Sequence, residues 1–294
     1  MYILNNFRKK RSPINIFFKN IAYLLKWGVR LLLIGNKVKT ILLYPQYPSS
    51  NAVIYRILTK LSCNITNNPN KEHDLVVYWH DTTYRHHDSV IKNFSEKGPV
   101  INLKCTDISK SLVEKVFNEV FGYSSVVNPE TFTGLMVKKN EINASHDGII
   151  VQGPLSPDEG FIYQKVINNE YDKHFVVDIR LPVINGKMIF GYLKYKSIES
   201  RFASFPKNML NSKEPEVLPI EDLLTEEEMR AIATFCKRIG LDYGELDVLR
   251  DNDDKKIYII DVNNTPTGPT VNKTLKSKCV KEMASLFKEE FLLS

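Results

Sequence analysis

Two aspartates and an asparagine near the C-terminus have the types and spacing that could do chemistry. Asp247 closes the run Gly244-Glu245-Leu246-Asp247. A charged turn, Arg250 to Lys256, and an apolar run, Ile257 to Ile260, separate it from Asp261-Val262-Asn263-Asn264-Thr265-Pro266. Two strands joined by that turn set Asp247 beside Asp261. Asn263, two residues after Asp261, points to the same strand face. Three hard oxygens on one spot can hold Mg2+ whose remaining ligands are nucleotide phosphates and water. The alternative is a hairpin with a solvated polar face.

Other elements must position these oxygens. Residues 39–44 and 74–79 read as buried strands, 100–103 as a third, and 51–61 as a helix that Ser50 or Asn51 can cap. Strand–helix alternation of this kind predicts a small parallel α/β sheet. Asp107 or Ser109 opens a helix to Val120 that Gly122 ends. From Thr133 the pattern changes to longer strands: 134–138, 148–152, 161–167, 174–182 and 187–195, with Asn185-Gly186 as a two-residue hairpin signal. The loop from Lys139 to Asp147 is small and polar, a composition suited to covering phosphates. Asp178 and Arg180 share one strand face, and Tyr192 and Lys194 share another. Charges facing a sheet interior need a partner or a ligand. A helix with Thr225 as cap, Glu228 completing a capping box and Gly240 as stop follows, and a last helix covers 274–291.

The His80-Asp81 and His86-His87-Asp88 cluster follows the second strand, where parallel folds bind ligands. These side chains suit metal binding or general base work, yet no second group at metal spacing joins them, which favours solvated loop histidines. Four cysteines (Cys63, Cys105, Cys236, Cys279) stand far apart without a CxxC pair. That spacing fits reduced thiols in a cytoplasmic protein and argues against a zinc ribbon or disulfide framework.

The net charge of +6 over 294 residues is unevenly spread. Twelve Lys and Arg precede the first acidic residue, Glu72, so the first 71 residues carry +12 and the remainder −6. Lys19, Lys26 and Arg30 interrupt the apolar run 14–35 and argue against both a membrane span and a signal peptide. They fall on one helical face, opposite Phe17, Ile21, Leu24, Leu31 and Leu32. Such a basic amphipathic helix suits peripheral contact with an anionic membrane surface. The alternative packs the stripe on the chain's own domain or on a second subunit as a homodimer. No nucleic-acid partner is expected, since aromatic interleaving and a recognised binding module are both missing.

The order of these pieces over about residues 100–272 resembles the ATP-grasp superfamily. The nearest local likeness is to carboxylate–amine ligases of the ribosomal-protein glutamate ligase type. Val177-Asp178-Ile179-Arg180 with Ile184-Asn185-Gly186-Lys187 resembles their Asp-x-Arg strand and hairpin. The run 239–247 is similar to the approach to their first metal carboxylate, and 260–266 to their Glu-x-Asn-x-x-Pro metal strand. The resemblance implies an α/β (α+β) ATP-grasp fold: a small parallel α/β N-terminal domain, then two α+β subdomains clasping the nucleotide. It sets residues 1–36 as the basic helix, 37–105 as the N-terminal α/β domain and 106–294 as the ATP-grasp domain.

The resemblance further implies that Asp247, Asp261 and Asn263 hold Mg2+ (or Mn2+) bridging ATP phosphates. Lys110 and Lys138 match nucleotide-binding lysines, and Gln164, Lys165, Val166 and Ile167 match the segment whose backbone contacts adenine. Asp172 falls near the usual ribose-binding acid. Arg180 matches a group that stabilises the transferring phosphoryl or a substrate carboxylate, and Lys194 replaces an arginine usual in the ligases. Such an enzyme joins a carboxylate to an amine through an acyl phosphate and needs no Ser, Cys or His nucleophile. Asp261 in place of the usual glutamate also resembles the superfamily's inositol phosphate kinases, which keeps a sugar or cyclitol kinase as an alternative. A non-catalytic nucleotide-binding module is the third reading. A small-molecule or glycan acceptor is expected, and membrane contact by the basic helix would favour a glycan or cell-envelope precursor.

Overall fold

The computed structural model describes residues 38–143, 145, 147–201 and 213–293. The basic amphipathic helix expected over 14–35 lies outside the described residues. No helix among the described residues is long and apolar enough to cross a membrane.

The first part is a parallel sheet. Strands β1 (Thr40–Pro45), β2 (Asn64–Thr66), β3 (Leu75–Trp79) and β4 (Val100–Ile101) lie in the order β2-β1-β3-β4, and every pair is parallel. Every residue of β3 is buried, as the uninterrupted apolar run Leu-Val-Val-Tyr-Trp requires of a central parallel strand. Helices α1 (Val53–Lys60) and α2 (Ser89–Lys97) serve as crossovers. α2 was not legible as a helix. Asp88, grouped above with the loop histidines, is its N-cap and accepts from the Ile91 amide at 2.8 Å. The strand expected over 100–103 stops at Ile101 because Asn102 adopts φ 61° and turns its side chain into the next sheet.

Helix α3 (Lys110–Phe121) leads into a three-stranded antiparallel sheet of β5 (Gly134–Asn140), β6 (Ile149–Gly153) and β7 (Phe161–Lys165), in the order β6-β5-β7. Its caps are those read from the sequence: Ser109 accepts from the Leu112 amide, and Gly122 sits at φ 75°.

The second sheet is larger and antiparallel. It contains β8 (Phe175–Ile184), β9 (Phe190–Ser197), β10 (Glu216–Pro219), β11 (Tyr243–Arg250) and β12 (Ile257–Asn263), in the order β10-β9-β8-β11-β12. Asn185 and Gly186 both take positive φ (50° and 74°), the geometry a two-residue turn needs to match strand twist. Helix α4 (Glu226–Ile239) has the expected capping box of Thr225 and Glu228 and ends at Gly240 in the left-handed region. Helix α5 (Lys273–Phe291) follows.

The two faces of this sheet differ in chemistry because side chains alternate. Ile179, Leu181, Val183, Leu246, Val248 and Val262 form one face, packed with Phe117 of α3 and Phe235 of α4. The opposite face changes character along its length. At one end Ile184, Phe190, Tyr192 and Tyr243 pack with β1, α1 and α5. At the other end it carries charges. Asn102, fully buried, fastens the parallel sheet to the start of β11. Its amide donates to the Tyr243 carbonyl at 2.7 Å, and its Oδ1 accepts from the Asp242 and Tyr243 amides, each at 2.9 Å.

Candidate active site

The charged end of the large sheet gathers residues from four adjacent strands by register alone. Asp247 pairs with Asp261 across β11 and β12, and Glu245 pairs with Asn263. On the other side of β11, Asp247 pairs with Arg180 of β8. Arg180 in turn faces Tyr192 of β9, and Asp178 faces Lys194. A bulge follows Asp247, so β12 carries one residue more than β11 there and Ile260 has no cross-strand partner. Asp247, Asp261 and Asn263 therefore stand on one face as the sequence spacing predicts, with the Asn263 amide donating to Asp247 Oδ1 at 3.2 Å.

Charge is unusually dense on this face. Arg180 Nη1 is ion-paired with Asp247 and lies 3.5 Å from Glu245 Oε1. Burial raises the Asp247 and Asp261 carboxyls above the ordinary aspartate value, and at Asp247 the neighbouring Asp261 charge adds to it. Burial opposes the Arg180 charge, but Asp247 and Glu245 outweigh it and hold the guanidinium firmly protonated. Lys194 is half-buried and ion-pairs with no carboxylate among the described residues. Burial, Arg180 and Lys196 all push its ammonium down. Asp178 is committed elsewhere, to Lys196 at 2.6 Å and to the Asn169 amide at 3.1 Å.

The small sheet presents a lysine to this face, and it is Lys139. Adjacent strand residues point to opposite sides, so Lys138 and Lys139 cannot share a role. Lys138 is ion-paired with Asp158 and lies 4.3 Å over the Phe161 ring. Lys139 is pushed down to about 8 by burial, against the pull of Asp261, with the Lys110 charge adding to the depression. Lys110 opens α3, donates from Nζ to the Ile142 carbonyl at 3.2 Å, and acts on Asp261 as Lys139 does. Two like charges pressed together beside a carboxylate pair form a setting for a polyanion that brings its own cation. The sequence does not set Lys139 apart from Lys138, because Leu135, Met136 and Val137 put apolar residues on both sides of β5 and leave no alternation to mark the inner face.

The remaining expected residues run from the end of β7 to the turn before β8. Gln164 is buried, with its amide nitrogen donating to Ser125 Oγ at 2.8 Å and to Glu114 at 3.4 Å, which leaves Oε1 without a partner. Lys165 is tied to Asp251 and Asp254 at 3.0 and 3.1 Å. The Val166 N–H lies on the side of β7 that pairs with β5, since Lys165 N–H goes to the Ser125 carbonyl on the other side, and the Ile167 carbonyl accepts from Arg201. Asp172 is exposed on the turn before β8, and its Oδ1 accepts from the amides of His174 and Phe175.

The far wall is the loop at the carboxyl end of β3. Thr265 donates to Asp81 at 2.9 Å, and Asn143 of the β5–β6 loop bonds both Thr83 Oγ1 and the Val262 carbonyl. The histidines there do not converge on a metal. His87 Nε2 is 2.8 Å from the Leu103 carbonyl, and His86 is exposed. No group of three or more His, Cys, Asp or Glu side chains that could hold a metal occurs among the described residues. The donor set at the head of β11 and β12 is two carboxylates and an amide oxygen. Hard oxygens of this kind fit Mg2+, which keeps several waters and takes phosphates to complete its shell.

The same architecture occurs in solved structures. The chain is similar to the ATP-grasp ligase PsnB complexed with a phosphomimetic variant of its minimal precursor, Mg and ADP. That likeness has a TM-score of 0.53 and 11% identity, over 86% of this chain and 99% of that one. It is similar also to the D-alanine–D-alanine ligase from Bacillus anthracis complexed with ATP. There the TM-score is 0.52 and the identity 13%, over 85% of this chain and 95% of that one. No family model and no curated protein matches the chain. At such identities the likeness establishes the fold.

Proposed function

Starting from the ATP-grasp fold of the chain, we propose that it is an ATP-dependent ligase that joins a carboxylate to an amine through an acyl phosphate. The observation that carries this reading is the meeting of Asp247, Asp261, Asn263, Arg180 and Lys194 on one face of the large sheet, with the charges of Lys110 and Lys139 acting on Asp261. In this reading Asp247, Asp261 and Asn263 hold Mg2+ (or Mn2+). A divalent ion held there would supply positive charge that offsets the charge of the phosphates.

The chain's own groups do the remaining work by position and charge. Lys110 and Lys139 hold the inner phosphates. Arg180 and Lys194 flank the γ-phosphoryl, where charge must be stabilised as it moves to the carboxylate oxygen. The segment from Gln164 to Ile167 lies along the adenine, and Gln164, oriented by Glu114 and Ser125, offers Oε1 to a donor such as the adenine amino group. Asp172 keeps Oδ2 for a ribose hydroxyl. The amine then displaces phosphate at the acyl carbon, beside the His80–Arg85 loop that Thr265 and Asn143 tie to the metal strand. The ligases solved with the same fold, one with a peptide precursor and one that joins D-alanine, support an acceptor that is a peptide or small molecule. A glycan precursor rests on residues 14–35, which lie outside the described residues.

The test is incubation of the full chain with Mg-ATP, a panel of carboxylates, and hydroxylamine as nucleophile. A ligase yields hydroxamate together with inorganic phosphate. A stable phosphorylated product without phosphate release supports a kinase instead, and nucleotide binding without either product supports the non-catalytic nucleotide-binding module.

A further inference from the structure

Glu245 has no place in the roles assigned above, yet it sits at the centre of the charged face. It is 4% exposed, it pairs with Asn263 across the sheet, and it lies two residues from Asp247 on the same strand face. Its Oε1 is 3.5 Å from Arg180 Nη1, and its Oε2 is buried without a partner. Burial this deep keeps Glu245 from touching a substrate, so whatever it does passes through a neighbour. The charged neighbour it ion-pairs with is Arg180, whose Nε is likewise buried without a partner, while the neutral Tyr192 hydroxyl lies beside the same carboxylate.

Arg180 and a divalent cation compete for one carboxylate. Asp247 Oδ1 takes the Arg180 ion pair and also the Asn263 amide. A hard cation held by Asp247, Asp261 and Asn263 shares that carboxylate, and it repels a guanidinium at contact distance. Arg180 must then leave Asp247. A half-buried guanidinium left without a carboxylate is costly. Glu245 is the one other carboxylate that Arg180 ion-pairs with among the described residues. A slide along the strand from Asp247 to Glu245 keeps the guanidinium paired and leaves it beside the metal, facing the phosphoryl group.

We propose that Glu245 is a positioning residue that takes Arg180 off Asp247, freeing that carboxylate for the divalent cation. The inference rests on the metal reading of Asp247, Asp261 and Asn263, and it adds a coupling between two sites on one strand. Such a coupling has a sign and a partner. Without Glu245, Arg180 stays on Asp247 and opposes the cation. Without Arg180, Glu245 has nothing to hold and ceases to matter for metal binding.

The experiment is calorimetric titration of ADP into the full chain at a series of Mg2+ concentrations. The proteins are wild type, Glu245→Gln, Glu245→Asp, Arg180→Gln and the double variant Arg180→Gln/Glu245→Gln. Glu245→Gln is expected to raise the Mg2+ concentration for half-maximal ADP binding about tenfold, within the ordinary range of coupling between sites. Glu245→Asp, which keeps the charge, restores part of that loss. In the Arg180→Gln background, Glu245→Gln is expected to shift the Mg2+ requirement no further, a result that general loosening of the fold cannot give. An unchanged Mg2+ requirement in Glu245→Gln overturns the inference while leaving the metal site standing. So does a full-sized shift in the Arg180→Gln background. If Glu245→Gln does not fold, Arg180→Gln alone decides: it is expected to lower the Mg2+ requirement, and an increase overturns the inference. Wild-type ADP binding without any Mg2+ dependence overturns the metal reading and this inference together.

Discussion

Replacing Lys139 by glutamine separates two assignments of strand β5. The family motif points to Lys138, whereas the strand geometry points to Lys139. Lys139 faces Asp261 and Lys110, and Lys138 is turned to Asp158 on the other side of the sheet. A charge-assisted hydrogen bond to a phosphate contributes about 1.5–3 kcal/mol. Losing it should weaken Mg-ADP binding roughly 10- to 150-fold in Kd. Lys138→Gln removes an ion pair whose partner Asp158 is 61% exposed. A pair of that kind contributes below about 1 kcal/mol to stability, and Mg-ADP affinity should stay near wild type. Calorimetry at pH 7 reads both variants directly. A large loss of affinity in Lys138→Gln with Lys139→Gln close to wild type would refute the reasoning from strand register.

Two further expectations follow from particular residues. Burial pushes Lys139 down to about 8 from an ordinary 10.5, so its charge is present below that value and lost above it. ADP affinity should fall as pH rises past 8 and stay flat in Lys139→Arg, and calorimetry from pH 7 to 10 checks this. The same depression makes the Lys139 charge a burden on the fold below 8, relieved between 8 and 10.5, so its contribution to stability rises with pH in that window. Asn102→Ala removes three side-chain hydrogen bonds and leaves buried backbone groups of Asp242 and Tyr243 unmatched. The loss should be roughly 3–5 kcal/mol in urea unfolding, and a loss under about 1 kcal/mol would contradict the fastening role.

The meeting of Asp247, Asp261 and Asn263 was legible because a strand has a period of two and a hairpin pairs its arms. Asp247, Asp261 and Asn263 could be set together from spacing alone, and the register agrees. The caps of α3 and α4 were legible for a similar reason, since Ser109, Gly122, Thr225, Glu228 and Gly240 act on residues three or four away. What escaped was set by contacts distant in sequence. Asn102 ends β4 early because it bonds residues 140 and 141 positions away. Lys139 could not be told from Lys138 because the apolar residues of β5 mark both faces. Asp88 was grouped with its histidine neighbours, although the spacing of Ile91 and Phe94 after it is that of a capped helix. The Glu245–Arg180 contact follows from the side of β11 that β8 occupies, and no local spacing encodes which strands become neighbours.

The central claim is that Asp247, Asp261 and Asn263 together hold the divalent cation of a bound nucleotide. A crystal of the full chain grown with ADP and Mn2+ tests it by anomalous scattering. The account expects a manganese peak within coordination distance of all three side chains, lost in Asp261→Ala. A peak elsewhere on the protein, or nucleotide bound with its metal away from these residues, would contradict it.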